Sequence, residues 1–333
     1  MTGPLISVEN LTLRFKTDEG LVTAVNDVSF EIAPGEVLGL VGESGSGKSV
    51  VAKSLMMLNA ENAVYDDDSR ITLNVDDRDY DVLSLKRPDE QKIIHGGAIS
   101  MIFQEPMASF APAITIGDQM VEQLLIHSEM TRTEAREISV EMLARVGIPE
   151  PAQRFGQYAF EFSGGMRQRA MIAMALSTKP KLLIADEPTT ALDVTIQAQV
   201  IELMKDLVEE FHMSILFITH DLGVIAQTAD RVAVMYLGNL VETGTVRQVI
   251  NSPAHPYTRG LLNSLPKLGD LDAPLTPVPG DIPSPLDRPS GCVFHTRCPE
   301  FIGDVCKQKI PATTVDSASH EVACHLATQG EPA

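Results

Sequence analysis

The fold is decided by one stretch of the sequence, Gly42-Glu43-Ser44-Gly45-Ser46-Gly47-Lys48-Ser49. The apolar run 37–41 before it predicts a buried strand, and residues 49–58 after it predict a helix. This strand, G-x-x-x-x-G-K-S and helix arrangement is typical of a phosphate-binding loop, in which backbone N–H groups and the helix N-terminus face phosphate oxygens. Lys48 can reach the β- and γ-phosphates, and the Ser49 hydroxyl can ligate Mg²⁺. The chain is therefore predicted to bind a nucleoside triphosphate.

Composition narrows the class of protein. The chain has 333 residues with 44% apolar content, which is enough for a real core and predicts two structural units. A formal net charge of −19 argues against a general nucleic-acid binder, which needs a basic surface. The sequence has no run of about 18 apolar residues and no basic, apolar signal peptide at its start, so we expect a cytosolic protein.

The apolar pattern alternates between strands and helices. Strands are predicted at 5–16 and 22–32 as an antiparallel hairpin, and then at 71–75, 98–103, 181–187 and 214–219. A turn is predicted at 76–79, and helical segments at 116–147 and 200–211. Thr131 and Glu134 fit a capping box, and Gly147 fits the residue after a helix end. The pattern predicts a mostly parallel α/β sheet with ligands at the carboxyl ends of its strands.

Two carboxylates follow a buried strand. Asp186 can hold Mg²⁺, and Glu187 can orient or deprotonate an attacking water. His220 follows the strand 214–219. Phe15 could stack on a base or belong to the core, and the residues alone do not decide between these alternatives.

The stretch 163–169, Ser-Gly-Gly-Met-Arg-Gln-Arg, lies between the loop and Asp186 and resembles the signature of ABC-type ATPases. Further positions match that family in order: Gln104 as the Q-loop, 191–193 as the D-loop, His220 as the switch histidine and Phe15 as the adenine-stacking aromatic. Phe162 and Met166 depart from the usual Leu and Gln. The resemblance implies a P-loop NTPase of ABC type over 1–265, with a RecA-like mostly parallel core, an antiparallel β subdomain and a helical subdomain at about 107–165.

The resemblance also implies a mechanism. Two domains pair head to tail with two ATP molecules between them, and Ser163, Gly164 and Gly165 contact ATP held by the partner subunit. Glu187 is then the catalytic base, Gln104 and His220 sense the γ-phosphate and the water, and Ser49, Gln104 and Asp186 serve Mg²⁺.

The segments 255–262 and 291–299 look like the oligopeptide, dipeptide and nickel importer subfamily. That resemblance implies two membrane permease subunits, a second and usually different ATPase subunit, an extracytoplasmic binding protein, and a position on the cytoplasmic face of the inner membrane. Oligosaccharide and nickel remain alternative cargoes. A soluble ABC-type ATPase of DNA repair or translation, and a redox enzyme, are the competing classes of function.

The remaining residues, 266–333, are predicted to be a linker followed by a small, irregular metal-binding extension. Four cysteines lie there: Cys292, Cys298, Cys306 and Cys324. Clustered thiols in a cytosolic protein indicate a metal centre more than disulfides, although the paired C-x₂-C knuckles of common zinc sites are absent. The subfamily resemblance favours a [4Fe-4S] cluster. Zinc, or free or disulfide-bonded thiols, are the alternatives, and His295, His320 and His325 are additional candidate ligands.

Overall fold

The computed structural model describes residues 3–104, 109–189, 194–265 and 278–327. It forms two compact units, each made of separate stretches of chain. Unit 1 comprises Met1–Ile6, Ile32–Glu36 and Leu73–Leu216. Unit 2 comprises Ser7–Glu31, Val37–Thr72 and Phe217–Ala333.

The strands, in chain order, are β1 (Ile6–Thr17), β2 (Gly20–Ile32), β3 (Val37–Val41), β4 (Ala63–Tyr65), β5 (Arg70–Val75), β6 (Arg78–Asp81), β7 (Ile99–Ile102), β8 (Leu182–Asp186), β9 (Ser214–Thr219), β10 (Arg231–Tyr236), β11 (Asn239–Thr245), β12 (Thr313–Val315) and β13 (Glu321–Ala323). The helices are α1 (Lys48–Leu55), α2 (Pro88–Ile94), α3 (Ile116–His127), α4 (Arg132–Arg145), α5 (Pro151–Arg154), α6 (Gly164–Ser177), α7 (Val194–Phe211), α8 (Leu222–Thr228), α9 (Val246–Asn251), α10 (Pro256–Asn263) and α11 (Asp304–Gln308).

The sheet of unit 2 is built around β10. This strand pairs in parallel with β3, with Ala233 opposite Leu40, and in antiparallel with β11, with Ala233 opposite Thr243. The next strand along is β13, which pairs with β11, and β12 then pairs with β13. The C-terminal segment therefore extends the same sheet whose strand β3 leads into the phosphate-binding loop.

Unit 2 also holds the N-terminal strands. β1 and β2 are neighbours, and β4 pairs with β1 in antiparallel, with Phe15 opposite Ala63. The apolar residues of β1 that face inward, such as Leu11 and Leu13, are fully buried. The two strands predicted at 5–16 and 22–32 are therefore present.

In unit 1, β7 and β8 are parallel neighbours with Ile99 opposite Leu182, and all their residues are buried. The helices α3, α4 and α6 pack on one another. Thr131 and Glu134 form the predicted capping box at the start of α4. Gly147, after the end of that helix, has φ 76°, a left-handed conformation that glycine adopts without a Cβ clash.

Three local predictions need correction. The helix after the loop ends at Leu55 and not at residue 58, because Met57 is left-handed with φ 53°. The turn at 76–79 is shorter than predicted: Asp76 and Asp77 are left-handed, and β6 starts at Arg78. The helical region 116–147 is two helices, since the chain is non-helical from Ser128 to Thr131.

Candidate functional site

The phosphate-binding loop connects β3 to α1, as predicted. Lys48 is only 5% exposed, and its Nζ donates to the carbonyl oxygens of Gly42 at 2.7 Å and Glu43 at 2.9 Å and to Ser46 Oγ at 3.3 Å. The ammonium group is thus directed back toward the loop backbone. In this motif a lysine at that position pairs with the β- and γ-phosphates.

Two glycines of the loop are required by close backbone contacts. A Cβ on Gly42 would lie 2.1 Å from the Met235 carbonyl oxygen. A Cβ on Gly47 would lie 2.5 Å from the Ala24 carbonyl oxygen, and its φ of 102° is itself unfavourable for other residues. The loop can therefore pack between β2 and β10 only with glycine at both positions.

The other loop residues lie where the motif expects them. Ser44 and Gly45 are exposed, and Ser49 is half-buried in the first turn of α1. An exposed loop at a helix N-terminus is suited to bind an anion.

The carboxyl ends of β7 and β8 bring two predicted catalytic side chains together in unit 1. Gln104 Nε2 donates to Glu187 Oε2 at 3.2 Å. Asp186, the last residue of β8, is 3% exposed, and Glu187 follows it in a left-handed conformation with φ 47°. A non-glycine residue in this conformation is held there by its surroundings, which is common at functional sites.

The signature segment starts α6. Ser163 is the exposed N-cap of this helix, and its Oγ accepts a hydrogen bond from the Met166 N–H at 3.3 Å. Gly164 and Gly165 form the first turn. Phe162, which replaces the usual Leu of the signature, is 2% exposed and therefore occupies a core position. The substitution exchanges one buried apolar side chain for another.

The two remaining nucleotide-site candidates are in unit 2. Phe15 is half-buried on β1, and His220 is exposed directly after β9. Asp221 caps α8, with its Oδ1 accepting from the Gly223 N–H at 2.7 Å. The predicted D-loop at 191–193 lies outside the described residues.

All four cysteines are free thiols; Cys298 is half-buried and the other three are buried. The pKa of Cys292 is raised to about 11, mainly by burial and to a smaller extent by the neighbouring Cys324, Cys306 and Cys298. Raised pKa values favour neutral thiols, whereas metal ligands are thiolates.

In the part of the chain that the structure describes, no group of three or more His, Cys, Asp or Glu side chains is arranged to hold a metal ion. The expected metal-binding character of the extension, with an iron–sulfur or zinc centre, is therefore unsupported. The three candidate histidines have other partners, since His295 Nδ1, His320 Nε2 and His325 Nε2 lie 2.8–2.9 Å from oxygens of Cys292, Glu242 and Lys309 respectively.

Sequence reasoning missed two residues that contact the loop. Arg297 pairs with the Glu43 carboxylate at 2.7 Å, and the Tyr257 hydroxyl accepts from the Glu43 N–H at 2.9 Å. Both lie in segments that resemble the importer subfamily, but the separation of more than 200 residues gives no local signal for the contact.

Comparisons with known proteins agree with this geometry. The ABC transporter family model matches residues 25–190, and the model of the oligopeptide/dipeptide transporter C-terminal region matches residues 241–306. The chain is 49% identical over 325 residues to the dipeptide transport ATP-binding protein DppD of Bacillus subtilis (strain 168), covering 98% of this chain and 95% of that one. It is 47% identical over 329 residues to a putative peptide import ATP-binding protein of Brucella abortus (strain 2308), covering 96% of each.

A solved structure, that of the dimeric ATP-binding cassette MJ0796 in a post-hydrolysis state bound to ADP and Pi, matches with a TM-score of 0.63 and 26% identity. The match covers 73% of this chain and 99% of that one. Among the described helices none is both long and apolar enough to cross a membrane. The chain belongs to the ATP-binding subunits of ABC transporters, ATPases that use ATP with Mg²⁺ to energise transport, and carries the C-terminal region of the oligopeptide/dipeptide type.

Proposed function

We propose that this chain energises the import of oligopeptides or dipeptides across the inner membrane. The observation that carries the proposal is the near full-length match to a protein named for dipeptide transport, together with the C-terminal region at residues 241–306. Oligosaccharide or nickel import by the same type of transporter is the alternative. The names of the two relatives, which refer to dipeptide transport and peptide import, favour peptide cargo.

The catalytic roles follow from the chemistry of each side chain. Glu187 is proposed as the base that accepts a proton from the attacking water, because it is a half-buried carboxylate at a strand end. Gln104, which donates to Glu187 at 3.2 Å, is proposed to hold that carboxylate and to orient the water. His220 is proposed to contact the γ-phosphate.

The phosphates and the metal ion need different groups. Lys48 and the backbone N–H groups of 42–49 are proposed to bind the phosphates. Ser49, Asp186 and Gln104 offer the oxygen ligands that Mg²⁺ prefers, and Mg²⁺ when bound offsets phosphate charge. Phe15, half-buried on β1, is proposed to stack on the adenine ring.

Ser163, Gly164 and Gly165 are proposed to serve a second ATPase subunit. They lie at the N-terminus of the 14-residue helix α6, where Ser163 and Gly164 are exposed and Gly165 is half-buried, and this position suits contact with a γ-phosphate held by another chain. The solved cassette MJ0796, described as dimeric and bound to ADP and Pi, supports this arrangement. The second subunit is proposed to be a different but related chain.

The remaining partners follow from the transport role. Two membrane permease subunits and, through them, an extracytoplasmic substrate-binding protein are proposed, with the ATPase on the cytoplasmic face of the inner membrane. Nucleic acid is not among the proposed partners, because the net charge of −19 disfavours it. Co-purification with two hydrophobic subunits separates this function from a soluble ABC-type ATPase, which would purify without them.

For the four cysteines we propose a [4Fe-4S] cluster, with zinc as the alternative. The chemistry of the donor set supports the proposal: none of the four thiols is in a disulfide, and Cys324, Cys306 and Cys298 lie near enough to Cys292 to raise its pKa. The described thiols are not arranged as a metal site, so a cluster requires their side chains to converge.

The test of cargo uses the chain assembled with its permeases in proteoliposomes. ATP hydrolysis is measured with the binding protein and, in turn, a dipeptide, an oligopeptide, an oligosaccharide or Ni²⁺. Stimulation by the peptides alone is the expected result. Stimulation by the oligosaccharide or Ni²⁺, without any by peptides, contradicts the peptide assignment.

A further inference from the structure

Glu43, the second residue of the phosphate-binding loop, is held on three sides. Its carboxylate accepts from Arg297 Nη1 at 2.7 Å and Nη2 at 3.1 Å. Its N–H donates to the Tyr257 hydroxyl at 2.9 Å, and its carbonyl oxygen accepts from Lys48 Nζ at 2.9 Å. One residue thus connects the C-terminal segment to the lysine of the loop.

The Arg297 site is shaped for this contact. Arg297 is 6% exposed, and its Nε donates to the Pro279 carbonyl oxygen at 2.8 Å while Nη2 also reaches the Val278 carbonyl oxygen at 3.3 Å. A buried guanidinium is costly unless it is paired, and its planar fork matches a carboxylate with two parallel bonds. The orientation of the Arg297 guanidinium is therefore fixed by the carbonyl oxygens of Val278 and Pro279 on one side and by the Glu43 carboxylate on the other.

An aromatic cluster supports both partners of Glu43. The rings of Tyr236, Tyr257 and Phe294 lie with centroids 4.8–5.3 Å apart, and each residue is at most 1% exposed. Phe294 and Arg297 share one turn, because the Arg297 N–H donates to the Phe294 carbonyl oxygen at 3.0 Å. The cluster therefore docks the segment that carries Cys292 and Cys298 beside the phosphate-binding loop.

Because Glu43 is negatively charged, its ion pair with Arg297 affects how the loop binds ATP. A free carboxylate in the loop would repel a triphosphate, and the positive charge of Arg297 offsets that repulsion. The same pair restrains the carbonyl group that accepts from Lys48.

We propose that Arg297 is a positioning residue for the ATPase reaction: through Glu43 it sets the affinity of the phosphate-binding loop for MgATP. The segment 291–298 then helps to hold the phosphate-binding loop in the conformation that binds MgATP. This role rests on ATP binding at the loop, and it is independent of which cargo is transported.

The test is a double-mutant cycle on the full-length chain, with MgATP affinity measured by calorimetry. Arg297→Met should weaken MgATP binding by about tenfold, the size of a lost charge-assisted contact. Glu43→Gln alone should change affinity less, and adding it to Arg297→Met should recover part of the loss because the unpaired charge is gone. In the assembled transporter, the KM for ATP should rise in Arg297→Met while kcat changes less than about twofold.

A matched control removes another ion pair of the same segment. Arg259 lies on α10, two residues after Tyr257, and pairs with Glu300 at 2.7 Å. The Glu43 carboxylate pairs with Arg297 and not with Arg259, so Arg259→Met should leave MgATP affinity unchanged. Unchanged affinity in folded Arg297→Met overturns the proposal. So does an equal loss in Arg259→Met, which would mean that general docking of the segment is what matters.

Arg297→Lys keeps the positive charge but cannot make the two parallel hydrogen bonds of a guanidinium group. This variant replaces Arg297→Met in the test if the Met variant does not fold. An intermediate loss of about threefold is expected from the missing second bond. Wild-type affinity in both Arg297→Lys and Glu43→Gln would overturn the proposal.

Discussion

Gln104 Nε2 donates to Glu187 Oε2 at 3.2 Å, across the carboxyl ends of the neighbouring parallel strands β7 and β8. These two side chains are 83 positions apart in sequence, and the parallel register of the strands brings them together. Glu187 also adopts a left-handed backbone with φ 47°, which directs it differently from the buried Asp186 before it. The pair is the part of the proposed catalytic machinery that unit 1 assembles by itself.

Replacing Glu187 by Gln should separate ATP binding from ATP hydrolysis. The amide keeps the shape of the side chain but cannot accept the proton of the attacking water, so turnover should fall by roughly 10²-fold or more. ATP binding should remain. The assay is steady-state hydrolysis in the assembled transporter. Glu209→Gln, on the exposed face of α7, removes a carboxylate from the same unit and should leave turnover unchanged. Near-wild-type turnover in Glu187→Gln would rule out this role.

Replacing Lys48 by Ala should abolish tight MgATP binding while the fold survives. Its Nζ donates to Gly42, Glu43 and Ser46 of the loop itself, so the substitution removes a phosphate-binding group and leaves the apolar core intact. Calorimetry measures the affinity, and circular dichroism checks the fold. Lys53→Ala, exposed in the last turn of α1, is the matched control and should bind normally. Unchanged affinity in Lys48→Ala would contradict the assignment of the loop.

His255 predicts a pH dependence of stability. Burial, with a smaller contribution from the Arg259 charge, lowers its pKa from 6.5 to about 3. Between pH 6.5 and about 3, His255 therefore binds a proton in the unfolded chain but not in the folded chain. The neutral ring stabilises the fold fully above pH 6.5, and that contribution, on the order of a few kcal/mol, is lost as the pH falls toward 3.

His255→Asn should flatten this dependence. Asn can still cap α10, as His255 does by accepting from the Tyr257 N–H at 3.1 Å, but it does not titrate. Urea unfolding at pH 7.5 and 4.5 gives the two free energies of unfolding. The drop between them should be smaller in the variant than in the wild type, and an equal drop would show that His255 does not contribute.

The cysteine proposal is tested by metal analysis. Protein purified without oxygen should be brown and carry about four iron and four sulfide per chain. Cys298→Ser should bleach the centre and loosen the segment around 290–310. The strands β12 and β13 should stay protected from hydrogen exchange, because they pair with the sheet of unit 2. Stoichiometric zinc without iron would show that the cysteines form a zinc site and not a cluster. The absence of any metal would show that they form no metal site.

Features of the fold that are determined by neighbouring residues could be predicted from the sequence. The phosphate-binding loop, the buried strands β3, β7, β8 and β9 and the capping box at Thr131 all follow from neighbouring residues, and the structure contains each of them. Where local signals compete, boundaries are wrong: Met57 and the pair Asp76 and Asp77 end their elements through left-handed backbone that composition does not reveal.

Long-range side-chain contacts of the site could not be predicted. Arg297 and Glu43 are 254 positions apart, and nothing near either residue in the sequence indicates its partner. The buried Glu242 is similar, since it accepts from the N–H groups of Ala254 and His255 and contacts His320, so that β11 and the C-terminal segment meet at one carboxylate. Such contacts depend on the finished sheet, where residues far apart in sequence become neighbours.

The central claim is that this chain hydrolyses ATP, with Glu187 as the base, to import peptides. It is tested most directly by the uptake of a labelled dipeptide into proteoliposomes that hold the permeases, the partner ATPase and this chain, with binding protein and dipeptide on the extracytoplasmic side and ATP on the other. Wild-type chain should give uptake that requires ATP, and Glu187→Gln should reduce uptake and hydrolysis together. Dipeptide uptake that continues in the Glu187→Gln transporter, or ATP hydrolysis by the wild type without any dipeptide uptake, would contradict the claim.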